Sequence, residues 1–457
     1  MRLSVIGLGK LGASMAACFA GKGFSVIGVD VDPHAVEAVN AGRAPVGETG
    51  LGEAIAANRE RLRATLDHAE AVRESDVSFV IVPTPSDSRG AFSLQYAKFA
   101  FEAMGKGLAE KKGYHVVVLT STVLPGSMRY GLLPVLEKAS GKKCGPDFGL
   151  CYNPEFIALG SIMHDFLNPD FYLLGECDKR AGDMVAAVHA QASENKAPIA
   201  RMSLENAELT KVSLNSAVTM KISLANMLCE LAEQIPGGDI DVVTRAIGSD
   251  ERIGRKYFTG GLGFGGPCFP RDNVALGFTG RHLGVPCDLL AVNDAYNRGQ
   301  AARLTERLVR RIPAGTTVAV LGLAYKPATH VVEESQSLEL CKRLSDAGYR
   351  VIGYDPLAGG EAKTVLAYHT LVAPSLEECL RNAGAVVVTT RDPAFTGLTA
   401  ETLLGGREHV IVVDCWRCLA PEVATHPGIE YIALGRCQDD DAAAATLRNL
   451  WSPEGNA

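Results

Sequence analysis

The sequence predicts an α/β fold: two Rossmann-like doubly wound domains flanking a central helical domain with a long connecting helix. Three observations predict it. A strand, glycine turn, helix and strand open the chain, a helical period runs unbroken over 204–235, and a second α/β pattern resembling the first begins near residue 316.

Residues Arg2 to Gly7 alternate around an apolar strand, Lys10 to Lys22 carry the 3.6-residue period of an amphipathic helix, and Ser25 to Asp30 form a second apolar strand. Together they make a βαβ unit. Strand-like runs at 77–82, 115–120, 148–152 and 171–174 then alternate with helical segments, as in a parallel sheet, which places a first domain at 1–198. From Leu204 to Ile235 there is no Gly or Pro, and apolar positions such as Val212, Leu214, Val218, Ile222 and Leu224 imply burial of more than one face. At 1.5 Å per residue that helix would reach roughly 48 Å, enough to tie two domains together. A central helical domain at 199–302, expected to form a dimer interface, and a third domain at 303–457 complete the chain. The third domain repeats the first: Val5-Ile-Gly-Leu8 resembles Val320-Leu-Gly-Leu323, and Gly23 to Asp30 resembles Gly348 to Asp355. Its turn reads Gly322-Leu-Ala-Tyr-Lys-Pro327 in place of three glycines, so a second dinucleotide is not expected there. The tail after Gln438 is acidic and then Ala-rich, and predicts a final helix with a frayed end.

Composition narrows the function. With 45 basic against 52 acidic residues in 457, the net charge of −7 gives no overall pull toward nucleic acid or anionic membrane. The longest apolar runs are strand-length, far short of the ~20 residues that span a bilayer. The chain enters a strand pattern at Met1 without a leader, and its 12 cysteines are irregularly spaced, which predicts a cytoplasmic protein with reduced thiols. Cys415 and Cys418 have C-x-x-C spacing, but no second pair or histidines accompany them, so core thiols are expected and no metal site.

Four constellations carry chemistry. Gly7, Gly9 and Gly12 form G-x-G-x-x-G between strand and helix, where missing side chains let the helix N-terminus approach a pyrophosphate. Asp30 follows Gly12 by 18 residues and closes the second strand, placed to accept hydrogen bonds from an adenosine ribose and to repel a 2′-phosphate. NAD is the expected cofactor; the bland alternative is a structural glycine turn. Residues 260–272 hold five glycines and two prolines around Cys268, a loop that presents the thiol as a nucleophile, unless the cysteine only fills the loop. Lys211 and Asn215 are spaced i, i+4 on one helical face and could stabilise an oxyanion; a solvated Lys beside a surface Asn is the plainer reading. Glu155 follows a strand, where α/β folds place functional groups, and could equally be a helix N-terminal charge.

These segments resemble the UDP-glucose/GDP-mannose dehydrogenases over nearly the whole chain. The motifs are the glycine turn with Asp30, Ser121-Thr-Val-Leu-Pro-Gly126, Asn153-Pro-Glu-Phe156, Glu208 to Asn215, Asp250-Glu-Arg-Ile253, Gly263 to Asp272 and Leu321 to Pro327, in family order. The resemblance implies oxidation of a nucleotide-sugar C6 alcohol to a uronic acid by two hydride transfers to NAD, most simply as a UDP-glucose 6-dehydrogenase. Cys268 would attack the aldehyde to give a thiohemiacetal and then a thioester. Lys211 and Asn215 would stabilise oxyanions, and Asp272 and Glu155 would assist proton transfer and water activation. Thr122 would lie near the nicotinamide, with Lys10, Leu11 and Thr84 also on the cofactor side. Phe156, Tyr257, Phe264, Gly265 and Lys326 fall on the substrate side, and Arg252 matches an arginine reaching a neighbouring subunit's substrate, so a homodimer is implied.

The chain departs from the family in places. Glu333 replaces the arginine of Thr-Asp-Asp-x-Arg-Glu-Ser; Asp-x-Arg becomes Asp414-Cys-Trp416 with Arg417 displaced by one; Leu159 stands at a commonly acidic position and Phe171 where Pro-Asp-Arg is usual. Losing basic groups near anionic ligands should weaken phosphate contacts unless others replace them. Other substrates (a UDP-N-acetylhexosamine or GDP-mannose), a two-electron hydroxyacid-type dehydrogenase and a non-catalytic NAD-binding protein are the competing readings. Cys268 argues against the two-electron enzyme, and intact Lys211, Asn215, Cys268 and Asp272 against loss of catalysis.

Overall fold

A computed structural model describes residues 1–157 and 160–451. The chain forms two compact units, one of Met1–Leu214 with Phe278–Pro286, the other of Asn215–Gly277 with the chain from Cys287 onward.

The first unit is built on an eight-stranded sheet of β1 (Arg2–Ile6), β2 (Ser25–Val29), β3 (Leu62–Thr65), β4 (Val77–Val80), β5 (Val116–Leu119), β6 (Gly149–Tyr152), β7 (Tyr172–Glu176) and β8 (Ile199–Met202). Their order is β3-β2-β1-β4-β5-β6-β7-β8, which reverses direction between β1 and β4. A crevice for a ligand therefore opens at the carboxyl ends of β1 and β4. The central strand β5 reads as a continuous apolar run because it is buried on both faces. Alternation sends Val116 and Val118 into one core with Phe19 and Phe79, and Val117 and Leu119 into another with Phe101 and Leu136.

The sequence pattern predicts a parallel sheet, but the sheet is mixed: β7 runs antiparallel to β6, and β8 parallel to β7. Among the described residues, the link from β6 to β7 holds the six-residue helix Ile162–Leu167 and no long crossover helix to carry the chain back. Strands β3 and β8 are short and incompletely buried, so neither leaves an apolar run in the sequence. Strand β8 lies just past residue 198.

The helix Leu204–Ala232, 29 residues long, begins in the first unit and continues into the second. The second unit carries a six-stranded, all-parallel sheet of β9 (Thr317–Leu321), β10 (Arg350–Tyr354), β11 (Leu371–Val372), β12 (Ala385–Val388), β13 (Val410–Asp414) and β14 (Ile429–Ala433). Its order, β11-β10-β9-β12-β13-β14, reverses between β9 and β12. The helix Gln300–Arg311 buries Ala301, Leu304 and Leu308 at helical spacing and ends on Arg310 and Arg311, which complement the helix dipole. The tail forms the helix Asp440–Arg448. The frayed end predicted at 453–457 and the departure at Leu159 lie outside the described residues. No helix among the described residues is long and apolar enough to cross a membrane.

Candidate active site

In the first unit the three glycines at the carboxyl end of β1 do three different things. Gly7 has φ +100°, and a Cβ there would strike the Ile81 carbonyl. At Gly12 a Cβ would strike the Gly7 carbonyl, so the helix Lys10–Gly21 packs close against the turn. Gly9, the N-cap, is exposed with open space where its side chain would be. A cradle closed behind by Gly7 and Gly12 and open at Gly9 fits a dinucleotide pyrophosphate. Lys10 and Leu11, in the helix's first turn, are partly exposed beside it. The partly exposed Asp30 accepts from the Leu8 N–H (2.6 Å) through Oδ2 and the Asp32 N–H (3.0 Å) through Oδ1, which fixes its carboxylate at the end of β2. Thr84 donates its hydroxyl to the Thr122 carbonyl (2.8 Å), joining the loops after β4 and β5.

A second group in this unit forms around Lys211. Its Nζ donates to the Glu155 carbonyl (2.6 Å) and lies 4.3 Å from the centre of the Phe156 ring. Phe156 in turn packs on Phe171 at 5.1 Å, so the departure at Phe171 places an aromatic ring behind the one that carries the Lys211 ammonium. The Glu155 Oε1 atom is shut off from solvent with no hydrogen-bond partner, and burial pushes its pKa up to about 8, opposed by Lys211.

In the second unit the Asn215 amide donates to Asp272 Oδ2 (2.6 Å), and both side chains are buried. Cys268 is exposed immediately before the helix Phe269–His282, and its carbonyl accepts the Asp272 N–H (2.8 Å). Lys211 and Asn215 lie one turn apart on the long helix.

The glycine segment leading to Cys268 has no regular structure, so side chains satisfy its backbone. Asn226 accepts from Gly261 N–H (2.9 Å) and donates to the Leu262 carbonyl (3.0 Å). Asn297 does the same for Phe264 alone, at 2.8 and 2.9 Å. Gly266 donates to the carbonyl of Glu333 (3.0 Å), the residue that replaces an arginine, while the Glu333 side chain is exposed. A Cβ on Gly265 or Gly266 would collide with the 325–334 segment. Lys326 lies beside Tyr325, its Nζ 5.8 Å from the ring centre. Tyr257 is exposed with φ 63° and sits edge-on to Phe269. Arg252 is not gathered with these residues: its exposed guanidinium pairs with Asp250 at 2.6 Å.

The other departures also have definite places. Arg417, whose side chain is 1% exposed, is turned inward to Asp241 (2.8 and 3.0 Å) and the Gly260 carbonyl (2.8 Å). Trp416 donates Nε1–H to the Thr389 carbonyl (2.7 Å). Asp355, the counterpart of Asp30, accepts four backbone N–H groups, from Leu323, Ala324, Leu357 and Ala358. A carboxylate so saturated has little left for a ribose. Cys415 is buried in the core and Cys418 lies against Asp414.

Residues 1–193 match the NAD binding domain of the UDP-glucose/GDP-mannose dehydrogenase family, 205–299 its central domain and 319–421 its UDP binding domain. The chain belongs to that family. It is thus an NAD-dependent nucleotide-sugar dehydrogenase, an oxidoreductase with NAD as cofactor. UDP-glucose 6-dehydrogenase AglM of Haloferax volcanii is 37% identical over 438 residues, covering 95% of this chain and 100% of its own. The GDP-mannose 6-dehydrogenase of Pseudomonas putida is 33% identical over 89% of this chain and 94% of its own. The structure of a UDP-glucose dehydrogenase from the hyperthermophilic archaeon Pyrobaculum islandicum is similar with a TM-score of 0.85 at 34% identity, over 95% of this chain and 98% of that one.

Sequence reasoning passes over Glu208, Asn226 and Asn297. The fully buried Glu208 carboxylate accepts from Gly126 N–H (2.6 Å) and Met128 N–H (2.7 Å), fixing the loop that carries Thr122. Its one sequence signal is its place at the head of the segment Glu208 to Asn215, three residues before Lys211. The two asparagines are ordinary helix residues until their partners are known.

Proposed function

We propose that the chain oxidises the C6 alcohol of UDP-glucose, or a close relative of it, to the uronic acid through a covalent adduct on Cys268. The observation that carries this reading is an exposed thiol at the head of a helix, in the same unit as a buried Asn215–Asp272 hydrogen bond. NAD, when bound, accepts a hydride in each of the two oxidations. In the first, the hydroxyl proton leaves to a base while the C6 hydride departs, giving the aldehyde. The Cys268 sulfur then adds to the aldehyde carbon, and its proton ends on the carbonyl oxygen; loss of the second hydride and that proton gives a thioester, which water hydrolyses to acid and free thiol. Lys211 and Asn215 stabilise the oxyanions, Asp272 and Glu155 move protons and activate the water, and Thr122 lies toward the nicotinamide. Gly7, Gly9, Lys10, Leu11, Gly12, Asp30 and Thr84 hold the cofactor; Phe156, Tyr257, Phe264, Gly265 and Lys326 contact the substrate.

The Haloferax and Pyrobaculum relatives favour UDP-glucose, and the Pseudomonas relative makes GDP-mannose the second reading. With the same standing we propose a cytoplasmic homodimer joined through the central domain at 199–302, with Arg252 reaching the partner's substrate, between a cofactor domain at 1–198 and a nucleotide-sugar domain at 303–457. The test is NAD reduction with UDP-, GDP-, CDP- and TDP-hexoses and N-acetylhexosamines, counting NADH per sugar. Two NADH and a uronic acid are expected with UDP-glucose, and Cys268→Ser should make no acid. One NADH per sugar, or undiminished acid from Cys268→Ser, would refute the four-electron thiol mechanism.

A further inference from the structure

The second sheet reverses direction between β9 and β12, so its ligand crevice lies beyond the carboxyl ends of those strands. Three segments meet there: 322–326 after β9, Thr389–Arg391 after β12, and Trp416–Arg417 after β13. Contacts run continuously around them. A Cβ on Gly322 would collide with Thr390, and one on Gly261 would meet the Trp416 ring at 2.6 Å. The Arg391 guanidinium lies 5.1 Å from the centre of that ring, and Nη2 donates to the Trp416 carbonyl (3.4 Å). One indole thus lies against both the glycine segment and a cation.

The charge at this crevice has been rearranged. Arg417, the arginine displaced by one position, is spent on Asp241 and closed off from solvent. Arg391 is exposed, and no ion pair joins it to a carboxylate among the described residues. An exposed cation held against an aromatic ring and a backbone carbonyl keeps its fork oriented while its other N–H donors stay available. That geometry suits an anionic oxygen pair.

We propose that Arg391, braced on Trp416, binds the diphosphate of the nucleotide-sugar substrate and replaces the cation that Arg417 no longer offers. This rests on the nucleotide-sugar reading above. The role belongs to the guanidinium: Trp416 is a positioning residue, held by its Nε1–H bond to Thr389 and by Gly261.

The test is calorimetric titration of the full-length protein with uridine, UMP, UDP and GDP, using wild type, Arg391→Ala, Arg391→Lys and Trp416→Leu. A charge-assisted contact to phosphate is worth enough to weaken UDP about ten-fold or more in Arg391→Ala. Arg391→Lys should recover part of that loss, Trp416→Leu should weaken UDP in the same direction, and uridine should bind all four proteins alike. NAD affinity, read at the other sheet, serves as the check that each variant is folded. UDP affinity unchanged in Arg391→Ala overturns the proposal while leaving the substrate class intact. An equal loss for uridine and UDP overturns it too, because the contact would then be to the nucleoside. If the wild type binds no nucleoside diphosphate, the nucleotide-sugar reading falls and this assignment with it.

Discussion

Glu155 is an acid weakened by its surroundings: one oxygen is sealed from water without a partner, and the nearby Lys211 ammonium, turned to the Glu155 carbonyl, offsets the burial only in part. With a pKa near 8 it is mostly protonated at neutral pH before substrate arrives. A group that must lose this proton to activate water makes activity rise with pH. We expect kcat/KM, which reports the free enzyme, to climb with an inflection near 8. Glu155→Gln should remove that inflection and lower kcat by roughly 10²–10⁴; an inflection that survives in the Gln variant would assign it to another group. The site's legibility in the sequence divides along the same lines. Cys268, Lys211 and the glycines declare themselves locally, through a loop that only small residues can form or a polar pair on an apolar helix. Glu208 meets its partner across 82 residues and Asn297 across 33, and no local pattern encodes a hydrogen bond at that range.

The glycine segment 260–266 is an element without secondary structure, and its shape is imposed from outside by Asn226, Asn297, Arg417 and the Glu333 carbonyl. Asn297 pairs with both polar groups of Phe264, a residue 5% exposed, so its removal leaves the buried N–H unpaired, at about 1–3 kcal/mol, and leaves the C=O only its long contact from Gln336 Nε2 (3.5 Å). On the proposed reading that Phe264 contacts the substrate, Asn297→Ala should raise KM for the nucleotide sugar by about ten-fold or more, with KM for NAD unchanged. Steady-state kinetics in both substrates checks this; equal rises in both constants would mean general loosening instead of loss of loop position. Regular elements are easier to read than this one. Strand β5 is apolar throughout because both faces are covered, and β1 and β4 are interrupted only by Arg2, Ser4 and Ser78, whereas β8 is partly exposed and leaves no such run. The reversal of β7 is a property of the connection that precedes it, which apolar periodicity does not register.

Across the whole molecule, buried titratable groups set opposing slopes of stability against pH. Burial holds His115 and His189 neutral, with pKa values near 3 against an ordinary 6.5, so the unfolded chain binds more protons than the native one between those limits. Their contribution is complete above pH 6.5 and is lost as pH falls toward 3. Glu155 and Glu208, raised by burial to about 8 and 7 from 4.5, act the other way: the native state binds the extra protons, and stability is lost as pH rises from 4.5 through those values. Each group contributes a slope of about 1.4 kcal/mol per pH unit within its window. Between 4.5 and 6.5 two histidines oppose two glutamates and the slopes nearly cancel; below that range only the histidines act, and above it only the glutamates. Denaturant unfolding of the ligand-free protein should therefore show a plateau of stability at mildly acidic pH that falls away on both sides. Glu208→Gln should weaken the alkaline fall and tilt the plateau so that stability rises with pH across it, whereas His189→Gln should weaken the acid fall and tilt the plateau the other way. An alkaline limb of undiminished steepness in Glu208→Gln would show that the buried carboxyl beneath the 121–126 loop does not take up the proton its surroundings favour.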